Sequence, residues 1–374
     1  MLATKTKEIS RPAPAGIELI RTLGAVLEME NSQLAAFENR GLADYPADAP
    51  AYAPATPREE IVDLPLPVSK GRTFAPTTAI LRRHGQGKSS LEEAMLELYH
   101  ANISVAGAED VARQLWGEAT GLAAVCECSR DTTGRIQAWL QRELAEPQVY
   151  VFFQSIEVKQ KIRGESRSTR LAAVVGVSRH GTRQVLSVMA EPDPVDGLWD
   201  RLIRDLKRRG LRGVELFIGE NDPAARAAVA ACYPAASYQG CLLQFEREVG
   251  AKVRPNQIFG LRQEFDKLRA SATEAKALKA AKALAAGLRK AEAHDAADML
   301  ERSMKFQYTY LNFPEGHHAR LYDVEPLRRV LREFRETNRL IGPVTDDNAL
   351  ILMLAARLRH TARQSWARRR YIAL

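Results

Sequence analysis

The chain has 374 residues, which is enough for two or three domains that each bury a hydrophobic core. Charged residues make up 27% of it, and no apolar run approaches the roughly 18 residues of a membrane helix, which excludes a helical membrane span. Lys and Arg outnumber Asp and Glu by 54 to 46, so the net charge of +8 favours a polyanionic partner, most often nucleic acid.

The first 57 residues are expected to form one helix, over residues 16–39, and a flexible arm. The arm is predicted from "ADYPADAPAYAPATPREE" (43–60), in which Pro and Ala are too dense for a persistent helix or strand. The N-terminal stretch also lacks the apolar segment of a signal peptide. We therefore expect the protein to stay in the cytoplasm.

Residues 58–146 are predicted to form a short strand and then a helical region. The stretch "IVDLPLPV" (61–68) alternates like an edge strand blunted by proline. The stretch "GQGKSS" (85–90) lacks the first glycine of a phosphate loop, so we expect a turn whose serine caps the following helix. From residue 91 onward the helical period fits three helices joined by short turns, which is compatible with a helix-turn-helix.

Residues 147–249 are predicted to form the first part of a mixed α/β sheet. Three consecutive strands are expected at "VYVFFQSIEVK", "TRLAAVVGVSRHG" and "RQVLSVMAEPD". The next segment is an amphipathic helix with Leu198, Leu202 and Leu206 on one face, and "VELFIGEND" is a fourth strand. Hairpin strands followed by a crossover helix and a parallel strand are the order found in RNase H-like folds.

Residues 250–320 show no strand signal and are rich in Ala, Lys, Arg and Glu, so an all-helical insertion is predicted there. Residues 321–374 are expected to return to the sheet with a last helix, from about Pro326 to Arg335, and to end in a basic tail. His317 and His318 lie in a loop before that helix and are expected to face solvent or DNA.

The four cysteines are too few and too scattered for a disulfide framework: they are Cys126, Cys128, Cys232 and Cys241. Cys126 and Cys128 are too close together for the usual zinc-finger spacing, and no second pair with suitable spacing appears. We expect Cys126 and Cys128 to be packing residues and expect no structural metal.

Several stretches resemble the Mutator-type insertion-sequence transposases of bacteria. "LIRDLKRRGLRGVELFIGEN" is similar to that family's helix, turn and strand that lead to an acidic residue, and "YQGCLLQF" is similar to its Cys-x-x-His stretch. "EPLRRVLREFRETNRLIG" and "SWARRRYI" resemble its last catalytic helix and C-terminal end. The likeness spans roughly residues 58–374 and implies an RNase H-like fold, a homodimer and double-stranded DNA as the partner.

The resemblance also implies a catalytic site of two Asp and one Glu that hold two divalent metals. Such metals need anionic oxygen ligands, because paired ions stabilise the attacking and leaving oxygens of a phosphodiester displacement. Position by position, the first Asp falls on Gln154, the second on Glu220 and the Glu on Arg328. The histidine of the Cys-x-x-His pair falls on Gln244, while its cysteine remains as Cys241.

This departure puts the metal site in doubt. Gln154 keeps an oxygen acceptor but loses the charge, and the fixed cation of Arg328 repels a divalent ion. Glu220 alone stays anionic and is a weak metal candidate; Asp222 and Glu325 lie close enough in sequence to replace lost ligands. We expect no cofactor, with Mg²⁺ required only if such relocated carboxylates work.

Arginines are the alternative carriers of function, because a guanidinium pairs bidentately with phosphate. On the last helix they recur on one face beside an apolar stripe, and the C-terminal stretch from Asn348 has six arginines and no Asp or Glu. The predicted DNA-binding residues are Arg130, Arg135, Arg328, Arg332, Arg335, Arg339, Arg357, Arg359, Arg363, Arg368, Arg369 and Arg370.

The sequence therefore predicts a transposase-derived DNA-binding protein that has lost its two-metal site and acts as a repressor, an architectural protein or a regulator on the nucleoid. It would act as a homodimer or together with an active relative or another protein. One alternative is an active transposase with relocated carboxylates. Another is a protein-interaction scaffold that uses the helical insertion and does not bind DNA.

Overall fold

The computed structural model describes residue 93 and residues 122–162, 165–191, 197–341, 347–363 and 365–374. The expected helix, arm, edge strand and capping turn of the first 90 residues lie outside the described residues. The same holds for most of the helix-turn-helix region, of which α1 (Leu122–Gln141) is described. The chain divides into two compact units, and nearly all described residues belong to the one that includes residues 136–339 and 343–374.

A five-stranded mixed sheet organises this unit. Its order is β3-β2-β1-β4-β5, with antiparallel pairing of β1 with β2 and of β2 with β3, and parallel pairing of β1 with β4 and of β4 with β5. The predicted mixed α/β, RNase H-like sheet is confirmed. The strands are β1 (Gln148–Ile162), β2 (Glu165–Ser178), β3 (Arg183–Glu191), β4 (Leu216–Gly219) and β5 (Ser237–Gly240).

The central strand β1 is covered on both faces, as its continuous apolar run predicts. On one face Val151 and Phe153 pack in a core with Trp199 and Phe217. This core is closed by two helices, α2 (Leu198–Arg208) and α3 (Pro223–Cys232). On the other face the ring of Phe152 meets the ring of Tyr371 from the chain end, with centroids 5.9 Å apart.

The described part of residues 250–320 contains helices alone, as the composition predicts. Alanines at four-residue spacing (Ala277, Ala281 and Ala285) are fully buried, which lets the helices approach closely. The boundary of this insertion stays a prediction. The helices from β5 onward are α4 (Leu242–Gly250), α5 (Ile258–Arg269), α6 (Glu274–Lys290), α7 (His294–Ser303) and α8 (Glu315–Leu321), with short 3₁₀ turns at Pro255–Gln257, Met304–Phe306 and Thr309–Asn312.

Three helices close the described chain: α9 (Glu325–Ile341), α10 (Asp347–Arg363) and α11 (Ser365–Arg368). The helix predicted from about Pro326 to Arg335 corresponds to α9, which is longer than predicted. No helix in the described ranges is long and apolar enough to cross a membrane.

Gly219 at the end of β4 leaves room for a core ring, because a Cβ placed there would lie 2.1 Å from Cζ of Phe153. We expect Gly219→Ala to lower the free energy of unfolding by about 1–3 kcal/mol through overpacking. Urea unfolding followed by circular dichroism measures this change. The control is Gly287→Ala on the exposed side of α6, where a Cβ meets nothing within 4 Å; it should raise stability by about 0.5–1 kcal/mol. Equal effects of the two substitutions would contradict the packing role of Gly219.

Candidate functional site

The first two family positions lie at the same edge of the sheet. Gln154 is on β1, and Glu220 directly follows β4. Phe152 pairs with Ile218 in the parallel register of these strands, so the positions two residues further on, Gln154 and Glu220, are neighbours at the carboxyl end. This is the place in a parallel sheet where side chains from different strands converge.

Their side chains, however, are engaged differently. Glu220 accepts hydrogen bonds from the backbone N of Ser155 (2.5 Å) and from the Ser155 hydroxyl (2.6 Å). Successive side chains of a strand point to opposite faces, so Ser155 and Gln154 lie on different faces of β1. The Glu220 carboxylate is thus bound on the Ser155 face and not on the Gln154 face.

Gln154 keeps a buried polar atom without a partner. Its Oε1 is inaccessible to solvent and accepts no hydrogen bond from the described residues. An unsatisfied buried acceptor costs about 1–3 kcal/mol. The amide therefore does not contribute to stability through that oxygen.

Arg170 on β2 connects the acidic groups of this edge. Its Nη2 lies 2.8 Å from Oε2 of Glu220 and 3.2 Å from Oδ2 of Asp222, and its Nε donates to the Ser155 hydroxyl at 2.9 Å. Its Cζ lies 5.1 Å from the centre of the Trp199 ring. We call Ser155, Arg170, Trp199, Glu220 and Asp222 the Arg170 cluster.

Asp222 has a structural reason for its position. It is the N-cap of α3, where its side chain accepts from the backbone N of Ala224 at 2.8 Å, and it also accepts from Nε1 of Trp199 at 2.8 Å. Burial would raise the Asp222 pKa, but the hydrogen bonds from Ala224, Trp199 and Arg170 lower it below the usual range. The carboxylate is thus held in its charged form.

Arg328, the third family position, forms an ion pair with a residue that lies just before its own helix, α9. Its Nη1 lies 2.6 Å from Oδ2 of Asp323, a buried carboxylate that also accepts from Sγ of Cys241 at 3.3 Å. Burial raises the Asp323 pKa although Arg328 opposes it, and burial together with Asp323 raises the pKa of the Cys241 thiol to about 12. Cys241 therefore starts α4 as a neutral, buried thiol. Gln244, at the family's histidine position, donates to Glu248 at 2.8 Å.

Asp323 was missed by sequence reasoning. It stands just before α9 in "LYDVEPLRR", and the separation of 82 residues from Cys241 gives no local signal of their contact.

Glu325, the other candidate for a relocated metal ligand, contacts different residues from Asp222. It neighbours Tyr371, whose pKa is raised by burial and then by the Glu325 charge. Burial lowers the pKa of Arg183, and the Glu325 charge opposes that lowering. Within the described ranges, no group of three or more His, Cys, Asp or Glu side chains is arranged to hold a metal ion.

The structure sorts the predicted arginines by exposure. Arg332 and Arg335 are exposed on α9, whereas the side chains of Arg130 and Arg339 lie outside the described residues. Arg135 and Arg363 are partly buried, and Arg135 donates to Thr132 at 3.4 Å.

Two of the predicted arginines on α10 contact other residues of the protein. Arg357 pairs with Glu333 at 2.7 Å, and only 17% of its side chain is exposed. Arg359 is 3% exposed, with its guanidinium over the Trp139 ring at 5.3 Å. The prediction that Arg359 contacts DNA is wrong, because α10 turns its side chain towards the protein interior. For Arg357, which is partly exposed, DNA contact stays a prediction.

Of the two histidines, His317 is buried and His318 is partly buried. His317 is 7% exposed; its Nδ1 lies 2.8 Å from the Tyr150 hydroxyl and its Nε2 lies 2.7 Å from the carbonyl oxygen of Ala373. His318 Nε2 lies 2.7 Å from the carbonyl oxygen of Phe313. The expectation that His317 faces solvent or DNA is wrong, because His317 joins the central strand to the chain end. For His318, which is partly exposed, the expectation stays a prediction.

The chain end is folded onto the turn between β2 and β3. The backbone N of Tyr371 donates to the carbonyl of Gly181 at 2.7 Å, and Arg370 Nε donates to the carbonyl of His180 at 3.4 Å. Gly181 has a φ of 77°, and a Cβ there would collide with the Ile372 carbonyl. The chain end is therefore held in a defined position against the turn between β2 and β3.

Exposed basic side chains from three parts of the chain lie in this region. The Arg320 guanidinium, at the end of α8, lies 5.0 Å from the centre of the Tyr371 ring. Burial lowers the pKa of Arg183, and the charges of Arg320 and Arg369 lower it further, so both charges act on Arg183. We call the exposed residues of this region the turn-tail surface: Arg179, His180, Arg320, Arg368, Arg369 and Arg370.

Comparison with known proteins identifies the family. The sequence matches the family described as "Transposase, Mutator family" over residues 56–368, which is most of the chain. The chain belongs to this family. The resemblance drawn from the sequence motifs is thereby confirmed.

Curated relatives are transposases for bacterial insertion sequences. The one for IS1201 of Lactobacillus helveticus is 23% identical over 274 residues, which cover 72% of this chain and 73% of the relative. The one for ISRM5 of Rhizobium meliloti is 24% identical over 315 residues, or 83% and 77%. The one for IS406 of Burkholderia multivorans is 25% identical over 300 residues, or 78% and 75%. This Mutator-family chain thus shares most of its length with them.

The depressed pKa of Asp222 predicts a pH-dependent contribution to stability. Because the folded-state pKa lies below the unfolded value, the contribution is present above that unfolded value, about 3.9, and is lost as pH falls through the folded pKa. We expect Asp222→Asn, which can still cap α3, to lower the free energy of unfolding at pH 7 by about 1–3 kcal/mol and to flatten its decline in acid. Urea unfolding at pH 7 and in acid measures both quantities.

The matched control is Asp200→Asn, which removes a carboxylate that is 45% exposed and pairs with Arg204. An exposed pair contributes about 0–1 kcal/mol, so little change is expected. An Asp222→Asn variant with the acid dependence of the unmodified protein would contradict the ionic role of Asp222.

Proposed function

We propose that this Mutator-family chain is a transposase-derived DNA-binding protein that does not use the family's two-metal chemistry. The observation that carries the proposal is the Arg170 cluster. In this cluster, Arg170 forms an ion pair with Glu220, the family position that remains anionic.

The residues present do not fit a pair of divalent ions. Gln154 is a neutral amide, Glu220 already accepts from Ser155 and Arg170, and Arg328 brings a cation that pairs with Asp323. Two hard cations need several anionic oxygens that are free to coordinate them. We therefore infer no step through Mg²⁺ and propose that the protein needs no cofactor.

The turn-tail surface supports DNA as the partner. Its arginines are exposed and come from the turn between β2 and β3, from α8 and from the chain end, so they form one basic region and not a solvated helix face. Arginine recognises phosphate through parallel hydrogen bonds, which gives affinity without base specificity. Exposed Arg332 and Arg335 on α9 offer a second group of phosphate contacts.

The relatives carry the name of transposases for insertion sequences. From this we propose a role on related elements or their host sequences, as a repressor, an architectural protein or a regulator at the nucleoid. The protein would act as a homodimer or beside an active relative.

The first test replaces three arginines of the turn-tail surface, Arg320, Arg369 and Arg370, by Gln. We expect DNA affinity near 150 mM salt to fall by about tenfold or more. The slope of log affinity against log salt should become shallower by about 2–3, because binding with three fewer phosphate contacts releases fewer counterions. Fluorescence anisotropy with a labelled duplex over a salt series measures both.

The control carries the same loss of charge on the helical insertion, at exposed Arg254, Arg262 and Arg302. It should retain most of the affinity. Equal losses in the two triple variants would refute a defined DNA surface, and the absence of submicromolar binding by the unmodified protein would favour the protein-interaction scaffold.

The second test asks whether the bound DNA is cut. Purified protein is incubated with fragmented genomic DNA at about 150 mM salt with Mg²⁺ or Mn²⁺, and both bound fragments and new ends are sequenced. We expect enriched fragments without new ends, because the carboxylates do not fit two metals. New ends at defined sequences that disappear in Glu220→Gln would show instead an active transposase with relocated ligands.

A further inference from the structure

Arg170 connects the acidic groups at the carboxyl end of the central strands through a single guanidinium. One guanidinium nitrogen, Nη2, reaches Glu220 at 2.8 Å and Asp222 at 3.2 Å, while Nε reaches the Ser155 hydroxyl at 2.9 Å. The three acceptors come from β1 and from the segment that follows β4. The guanidinium therefore bridges two strands that are adjacent in the sheet.

The register of β1 and β2 places Arg170 where this bridge can form. Ser155 pairs with Ala172, and Glu157 pairs with Arg170, so Arg170 lies two residues along β2 from the partner of Ser155. Residues two apart share a face, which puts the Arg170 side chain on the same face as Ser155. The Trp199 ring, 5.1 Å from the Arg170 Cζ, then covers the guanidinium.

The carboxylates need a cation at this place. Side-chain exposure is 12% for Glu220 and 24% for Asp222, so neither charge is solvated as it would be in water, and the two lie close enough to share one guanidinium nitrogen. Like charges at such a distance repel one another, and a positive group between them offsets that repulsion. Arg170, with 28% of its side chain exposed, supplies that group and has a fixed fork that suits several oxygen acceptors.

We propose that Arg170 serves as a built-in cation that holds Glu220 and Asp222 together and makes this edge of the sheet independent of divalent metal. The inference deepens the proposed function, because it names the group that replaces the family's metals on the remaining carboxylates. It concerns the protein alone, so its test contains no DNA.

The test compares the melting temperature of the protein with and without Mn²⁺. We expect the unmodified protein to melt at the same temperature in EDTA and in millimolar Mn²⁺. We expect Arg170→Gln to melt about 5 °C lower in EDTA, because two close carboxylates lose their shared cation. Added Mn²⁺ should then raise its melting temperature progressively with each tenfold increase in concentration, since an ion that binds the folded state stabilises it.

A double variant separates charge from packing. In Arg170→Gln combined with Glu220→Gln, one carboxylate charge is removed together with the guanidinium, so the loss of melting temperature should be smaller than the sum of the two single losses. The Mn²⁺ response should also disappear, because Asp222 alone remains. The matched control is Arg201→Gln, which breaks the ion pair with the buried carboxylate of Glu191 at 3.2 Å and should gain no Mn²⁺ response.

Two outcomes would overturn the proposal. One is a Mn²⁺-dependent rise in the melting temperature of the unmodified protein that Glu220→Gln abolishes, since the carboxylates would then accept a metal beside Arg170. The other is an Arg170→Gln variant that melts as the unmodified protein does or that ignores Mn²⁺. Because no measurement uses DNA, weak DNA binding would refute the proposed function and leave this result unaffected.

Discussion

The parallel pairing of β1 with β4 is the constraint on which the rest of this structure depends. It places Gln154 beside the segment that starts at Glu220, so the first two positions that the family resemblance singles out lie at one edge of the sheet. The helices α2 and α3 close one face through Trp199 and Phe217, and the chain end closes the other through Tyr371.

The two faces of β1 carry different chemistry. On the Ser155 face, Arg170 gathers the carboxylates of Glu220 and Asp222 into a charge-balanced cluster. On the Gln154 face, an amide oxygen is buried without a partner among the described residues, and the chain end packs nearby through Tyr371 and Phe152. Glu220 lies beyond the end of β4, and its carboxylate is bound by Ser155 and Arg170, so it does not combine with the Gln154 amide into one site.

The folding of the chain end decides which basic groups face solvent. Backbone hydrogen bonds to Gly181 and the contact of His317 with the Ala373 carbonyl fix this segment on the sheet. As a result Arg369 and Arg370 stand exposed beside Arg320, which is distant in sequence. A stretch that reads as a uniformly basic tail is thus divided into packing residues and an exposed basic surface.

The sequence by itself determined the family, the order of strands and helices in the sheet, and the all-helical insertion. These follow from local signals: apolar runs for buried strands, a 3.6-residue period for helices and long family motifs. It missed α3 and β5, since "PAARAAVAAC" and "SYQG" are too short or too uniform to reveal their period. Only the tertiary structure decided that Arg170 binds Glu220, that Asp323 holds Arg328 and Cys241, and that Arg359 and His317 are internal. The physical reason is that a side chain's partner depends on the register and packing of segments far apart in the chain, which no local pattern encodes.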